Sequence, residues 1–306
     1  MAAIVAWSTS SFGKESPRPL ELLKTAGYDV RANPHGRTLT TDEAKAHLDG
    51  VVGLVAGTEK LTGELMRSLP ALRCISRVGV GMDSIDHAAA KECGIVVVNT
   101  PDAHVDAVAE LTLAGLMAIL RKIPTSDASI RSGGFEKPMG RLLGGKTIGL
   151  VGCGRVGRRF AELVAGFGVT ILAHDPQVTA APPGVALSSL DDLVAMADIV
   201  SLHLPYSAAA KHLLGADQLA RMKKDAVVVN TSRGGLIDEA ALLAFLEANP
   251  KAGAYLDCFE KEPYSGPLAK LPNVVATAHI GSYAREARVR MEVEAVENLL
   301  RHLKPM

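Results

Sequence analysis

Lys146-Thr-Ile-Gly-Leu-Val-Gly-Cys-Gly-Arg-Val-Gly157, followed by Val169-Thr-Ile-Leu-Ala-His-Asp175, decides the fold of this 306-residue chain. Ile148, Leu150 and Val151 make the short apolar run expected of a buried parallel strand. Gly152, Gly154 and Gly157 then follow as G-x-G-x-x-G. Their separate tasks are a tight turn, close approach of backbone to a diphosphate, and close helix–strand packing. Phe160 to Phe167 reads as the helix whose N-terminal N–H groups face the phosphates. Val169 to Ala173 reads as the strand that closes a βαβ unit on Asp175. That acid lies 18 residues beyond Gly157, near the ~20 at which a carboxylate meets a ribose. No Arg or Lys follows in Pro176-Gln177-Val178, so the expected dinucleotide is NAD(H) in preference to NADP(H).

Composition sets the outer bounds. The length allows two modest domains with real cores. Lys+Arg and Asp+Glu balance at 33 each, which gives no electrostatic ground for nucleic acid or an anionic membrane. Cys74, Cys93, Cys153 and Cys258 are scattered without a C-x-x-C, so neither a disulfide framework nor a zinc site is expected, and no metal is called for. The N-terminus has no basic leader region and no 18-residue apolar run occurs. The expectation is a soluble cytoplasmic protein that does not enter a membrane.

Outward from the glycines, the pattern alternates strand and helix on both sides. Ile4–Trp7, Val51–Val55, Leu72–Ser76 and Ile95–Val98 read as strands, with helices at 20–26, 41–48, 61–69 and 85–93 between them. After Asp175 the strands are Ile199–Leu204, Ala226–Asn230, Gly253–Asp257 and Val274–Thr277, with helices at 190–196, 216–222, 239–246 and 284–303. This predicts an α/β protein of two doubly wound parallel sheets. From Asp102 to Ile123 runs a helical stretch apolar on nearly every face, which must be covered all round. Burial within the chain explains this and so does a second copy of the chain, the latter being the expected cover.

Ligands of open α/β sheets gather at the carboxyl ends of strands. The polar residues just after the predicted strands are few. Arg233 follows Val227–Asn230, Asp257 and Glu262 follow Ala254–Leu256, and His279 follows Val275–Thr277. In the first half, Gly79-Val80-Gly81 follows Cys74–Ser76. Taken singly these have ordinary readings: a surface arginine, a structural histidine, an exposed loop charge, with Asp83 as a helix N-cap. Together, behind a dinucleotide fingerprint, they suit reduction of a keto acid. Histidine titrates nearest neutrality and can protonate a nascent alkoxide. A carboxylate beside it fixes the ring and favours its charged form. An arginine fork matches a carboxylate, and the Val80-Gly81 N–H groups offer further donors. The other histidines are read as structural or solvated.

These residues resemble the D-2-hydroxyacid dehydrogenase family, in particular its phosphoglycerate-dehydrogenase-like branch. The likeness spans nearly the whole chain, through Arg-Val-Gly-Val-Gly-Met-Asp-Ser-Ile-Asp (77–86), Val-Asn-Thr-Pro (98–101), the 145–157 fingerprint, His-Leu-Pro (203–205), Asn-Thr-Ser-Arg-Gly-Gly-Leu-Ile-Asp-Glu (230–239), Leu-Asp-Cys-Phe-Glu-Lys-Glu-Pro (256–263) and Ala-His-Ile-Gly-Ser (278–282). It implies a Rossmann NAD domain over 100–282 and a flavodoxin-like substrate domain built from 1–99 and 283–306, with a cleft between them. It implies that Arg233 binds and polarises substrate, that His279 is the acid/base, and that Glu262 orients it. Cofactor contacts carry over to Gly152, Gly154, Arg155, Val156, Gly157, Asp175, Pro205, Thr231, Asp257 and His279. Substrate contacts carry over to Arg77, Val80, Gly81 and Arg233, and dimerisation to the helix over 102–122; Lys60 is added as a point charge of this chain's own. The chain departs from the branch in the loop after the second strand, where Ala56-Gly57-Thr58-Glu59-Lys60 lacks an arginine and Glu59 is expected to repel phosphate. Ala278 and Phe135 replace a usual proline and tryptophan, and no C-terminal regulatory extension is read. The expected activity is NAD-dependent hydride transfer at C2 of a small-molecule D-2-hydroxy acid. 3-Phosphoglycerate leads, with glyoxylate or hydroxypyruvate as alternatives. An NADH-sensing corepressor is the rival from another class.

Overall fold

Val227, Val228 and Val229 are all fully buried, and successive residues join different apolar clusters. Side chains alternate across a strand, so an unbroken apolar run means a sheet covered on both faces. The computed structural model, which describes residues 2–303, contains two such sheets. The expected closing segment 283–306 is therefore described as far as Leu303. Contacts divide the chain into one unit of residues up to His104 plus those from Ser282 onward, and a second unit of Val105–Gly281.

The first unit holds β1 (Ile4–Trp7), β2 (Asp29–Arg31), β3 (Val51–Ala56), β4 (Cys74–Arg77) and β5 (Val96–Asn99). All are parallel, in the order β2-β1-β3-β4-β5, the flavodoxin-like winding. Val51, Leu54 and Ala56 pack on one face with the helices Thr41–Leu48, Gly63–Arg67 and His87–Glu92. Val52 and Val55 pack on the other, with Arg18–Thr25 and Arg285–His302. The return helix Arg285–His302 thus completes the first core through Met291, Ala295, Val296 and Leu299.

The second unit holds β6 (Thr147–Val151), β7 (Thr170–His174), β8 (Val185–Leu187), β9 (Ile199–Leu202), β10 (Val227–Asn230), β11 (Gly253–Leu256) and β12 (Val274–Ala276). The parallel order is β12-β11-β10-β9-β6-β7-β8. The chain begins at β6, winds outward to β8, then returns to lay β9 against the other side of β6. That reversal opens a crevice at the carboxyl ends of β6 and β9, and the glycine fingerprint leaves β6 at that point. The apolar helix runs over Val105–Leu120 and not from Asp102. A second helix, Ile123–Arg131, follows after Lys122 takes a left-handed turn at φ 54°. Much of its apolar surface is covered within its own unit, where Ala109, Leu116, Ile119 and Leu120 join the core. Gly115 lets the helix lie on Tyr255, since a Cβ there would fall 2.1 Å from the ring. No described helix is long and apolar enough to cross a membrane.

Candidate active site

The turn after β6 gives each glycine a visible reason. Gly152 sits at φ 97°, and a Cβ there would meet the His203 carbonyl oxygen at 2.4 Å. A Cβ on Gly157 would meet the Gly152 carbonyl oxygen at 2.5 Å, so the helix presses on the turn. Gly154 differs: a Cβ on it meets nothing within 4 Å. It begins the Arg155–Ala165 helix with no side-chain cap, and the uncapped N–H groups of a helix start suit an anion. Asp175 accepts from Cys153 N–H through Oδ2 (2.8 Å) and from Gln177 N–H through Oδ1 (2.9 Å). Each oxygen retains a lone pair for ribose hydroxyls. Arg155 is exposed and Val156 half-buried in the first helical turn, and Pro205 is exposed after β9. The cradle at Gly154 and the half-buried acid fit a dinucleotide.

Arg233, Glu262 and His279 follow three neighbouring strand ends. β10 ends at Asn230, whose side chain fastens the turn by donating Nδ2–H to the Arg233 carbonyl at 2.8 Å and accepting from Ser232 N–H at 3.0 Å. Arg233 is half-buried and donates from Nη1 to the Ser232 carbonyl at 2.7 Å. β11 ends at Leu256 and delivers Glu262, whose Oε1 accepts from Phe259 N–H at 3.1 Å. β12 leads to His279, whose Nδ1 lies 3.0 Å from both Glu262 oxygens. A carboxylate on Nδ1 orients the ring and leaves Nε2 as the nitrogen outside that contact. Burial pushes the Glu262 carboxyl up, but the His279 hydrogen bond and charge, the Phe259 amide and Arg233 outweigh it and hold the carboxyl below its usual range. It stays anionic at neutrality.

His279 has a left-handed backbone, φ 54°, sparsely populated for such a residue and a form of stored strain. Asp257 holds it there. This fully buried carboxylate accepts from Thr277 Oγ1–H at 2.6 Å and Ile280 N–H at 2.8 Å through Oδ1, and from Gly281 N–H at 2.8 Å through Oδ2. Its geometry therefore brackets His279 on both sides, a role the motif reading did not provide. One lone pair on Oδ2 remains for a carboxamide N–H.

The other expected contacts lie at Thr231 in this unit and beyond β3 and β4 in the first. Thr112 Oγ1–H donates to the Val108 carbonyl at 2.7 Å, so Thr231 donates its hydroxyl hydrogen to Thr112 at 2.8 Å, committing it to the Val105–Leu120 helix. In the first unit, Val80 is exposed beyond β4. Gly79, at φ 141°, is latched to Thr100 through its N–H (2.8 Å). The Arg77 guanidinium folds back onto the Val78 carbonyl. Lys60 is exposed. Glu59 is a correction: its carboxyl turns inward, is fully buried, and accepts from Ser8 Oγ–H at 2.5 Å and Gly57 N–H at 3.3 Å. Burial raises its proton affinity, opposed by the Ser8 hydroxyl, backbone amides and Arg77. It therefore presents no exposed charge against a phosphate. Asp83 is not the expected N-cap; Asp86 caps His87–Glu92 by accepting Ala89 N–H at 3.0 Å. Two of the histidines read as structural or solvated have structural partners: His212 meets Glu260, and His203 is a buried imidazole bonded to Ser201 Oγ at 2.8 Å.

The family model for the D-isomer-specific 2-hydroxyacid dehydrogenase NAD-binding domain matches residues 113–281, so the dinucleotide held by this unit is NAD. The chain is 39% identical over 252 residues to the D-3-phosphoglycerate dehydrogenase of Mycobacterium bovis, an alignment covering 80% of this chain and 48% of that protein. The chain thus spans about half the length of that relative. It is 41% identical over 259 residues to the glyoxylate reductase of Thermofilum pendens, covering 81% of this chain and 76% of the relative. The solved structure of a Thermus thermophilus protein superposes with a TM-score of 0.90 at 36% identity, covering 97% of this chain and 96% of that one.

Proposed function

The chain belongs to the D-isomer-specific 2-hydroxyacid dehydrogenase family, and from that premise we propose that it interconverts a small 2-keto acid and the D-2-hydroxy acid with NAD(H). The observation carrying this reading is the His279–Glu262 pair, two contacts of 3.0 Å, with Arg233 bearing electrostatically on the same carboxylate. Bound NADH supplies the hydride. In the reductive direction His279, charged and oriented by Glu262, gives the Nε2 proton to the carbonyl oxygen. Arg233 grips the substrate carboxylate and polarises the neighbouring carbonyl. Asp257 fixes the His279 turn, and Asp175 takes the ribose. Val80, Gly81, Arg77 and Lys60 are the substrate contacts proposed in the first unit.

3-Phosphohydroxypyruvate, the keto form of 3-phosphoglycerate, leads as substrate, supported by the inward turn of Glu59 beside an exposed Lys60. Glyoxylate or hydroxypyruvate is the alternative, supported by the likeness to a glyoxylate reductase. A homodimer through the Val105–Leu120 helix is proposed with it, supported by exposed Phe135, Met139 and Leu142 just beyond (76%, 90% and 74% exposed). Four free cysteines suit a reducing compartment such as the cytoplasm. The test is turnover with a panel of 2-keto acids, 3-phosphohydroxypyruvate included, against NADH and NADPH. Fastest turnover of the phosphorylated acid with NADH supports the reading. NADH binding without turnover of any keto acid would instead favour a sensor.

A further inference from the structure

Glu239 stands outside the Arg233, Glu262 and His279 set, yet it touches the backbone that carries part of it. It is the first residue of the Glu239–Ala248 helix, straight after Asp238, whose Oδ1 caps the helix by accepting Ala240 and Ala241 N–H at 3.0 Å each. Through Oε1, Glu239 accepts the Glu260 N–H at 2.6 Å. That amide lies two residues before Glu262, and Glu239 lies six residues after Arg233. One carboxylate thereby joins the segment bearing Arg233 to the loop bearing Glu262. The two backbones abut as well, since a Cβ on Gly234 would fall 1.9 Å from the Phe259 carbonyl carbon. His212 adds a tether on the same segments. Its Nε2 lies 2.6 Å from Glu260 Oε1, its Nδ1 3.9 Å from Asp238 Oδ2, and its N–H donates to the Gly235 carbonyl at 2.9 Å.

A solvated glutamate at a helix start would face none of this. Burial raises the Glu239 carboxyl, the Glu260 and Glu262 charges raise it further, and only the Glu260 amide opposes them. Tyr264 shares the surroundings. Keeping an acid half-buried beside two others is unfavourable unless its contact is used.

We propose that Glu239 is a positioning residue, holding the Glu262 loop at the distance from Arg233 that keeps Glu262 on His279 Nδ1. It touches neither substrate nor cofactor, and the proposal rests on the dehydrogenase reading above. Two foldable variants of the full chain separate reach from charge. Glu239→Asp keeps the charge but withdraws the acceptor by one methylene, and Glu239→Gln keeps the acceptor and drops the charge. Misplacement of reacting groups by about 1 Å costs roughly 100-fold, so Glu239→Asp is expected to lose about 10- to 100-fold in kcat, with NADH affinity within about twofold. Glu239→Gln is expected to recover most of that loss. The His279 Nδ1 proton, followed by NMR and assigned with His279→Ala, should lose the chemical shift of its Glu262 hydrogen bond in Glu239→Asp as Glu262 draws away. Both variants at wild-type kcat, Gln losing as much as Asp, or an unmoved Nδ1 proton signal in Glu239→Asp would overturn the proposal. That signal needs no turnover, so a wild-type chain inert toward every keto acid would sink the dehydrogenase reading while this readout still decides Glu239.

Discussion

Replacing Asp257 by Asn changes one buried oxygen to NH2 and almost no volume. The carboxylate accepts three hydrogen bonds, from Thr277 Oγ1–H, Ile280 N–H and Gly281 N–H. The best amide orientation keeps its oxygen on the first two and turns NH2 toward the Gly281 N–H, so two donors meet. A hydrogen bond to a charged group contributes about 1.5–3 kcal/mol, and a buried donor left unsatisfied costs about 1–3 kcal/mol. The two overlap in part, so a loss of about 3 kcal/mol is the expected outcome. For a domain of this size that lowers Tm by roughly 6–12 °C. The turn loosened is the one that holds His279 at φ 54°, whose strain is about 1–3 kcal/mol, so kcat should fall together with stability. Denaturant unfolding read by circular dichroism, with steady-state kinetics on the same preparation, measures both. A loss below about 1 kcal/mol with unchanged kcat would show that the Asp257 contacts do not hold the histidine.

Three other outcomes follow from single sites. Gly154→Ala should fold as stably as wild type, because its Cβ meets nothing, yet bind NADH at least tenfold more weakly; Gly157→Ala, with a Cβ 2.5 Å from the Gly152 carbonyl oxygen, should lose stability too. Calorimetric titration with NADH beside thermal melts checks the contrast, and equal behaviour of the two variants would contradict it. Burial holds the His203 imidazole down to about 3, while the unfolded imidazole titrates near 6.5. Unfolding therefore takes up a proton between those values, and the folded state loses stability as pH falls, by up to about 1.4 kcal/mol per pH unit. His203→Asn should flatten that acid slope in a pH series of urea unfolding, and an unaltered slope would refute the neutral assignment. Glu59 has the opposite sign: a raised carboxyl contributes stability below its unfolded value, about 4.5, that is lost as pH rises through the folded one. Glu59→Gln should therefore gain stability relative to wild type as pH rises from 4.5 toward 8 in the same assay; a constant difference would show that Glu59 does not titrate in its buried site.

Most of the architecture was legible because buried parallel strands are apolar on both faces. Ile148–Val151 and Val227–Val229 stand out as runs, and the glycines mark the turn by spacing alone. The strands β2 and β8 were missed for a physical reason: each has three residues at a sheet edge, too few to display a pattern, and Asp29 and Arg31 flank a single valine. The break at Lys122 was hidden because the apolar pattern ends gradually at Ile123, and only the left-handed backbone divides the two helices. Arg233, Glu262 and His279 were legible as polar residues after apolar strands. Side-chain direction was not. Nothing in Thr58-Glu59-Lys60 reveals that Glu59 turns in to Ser8, 51 positions earlier, nor that Asp257 reaches across to two amides beyond His279. Those contacts depend on which strands are neighbours, and strand order emerges only from the folded sheet. The same holds for His212, read only as structural or solvated, whose partner Glu260 the fold alone supplies.

His279→Ala, assayed for keto-acid reduction and for NADH affinity in one preparation, tests the acid–base assignment most directly. General acid–base groups contribute about 10²- to 10⁴-fold, so kcat should fall by at least about 100-fold while the NADH dissociation constant stays within a few-fold of wild type. Turnover that survives the loss of this imidazole would contradict the account.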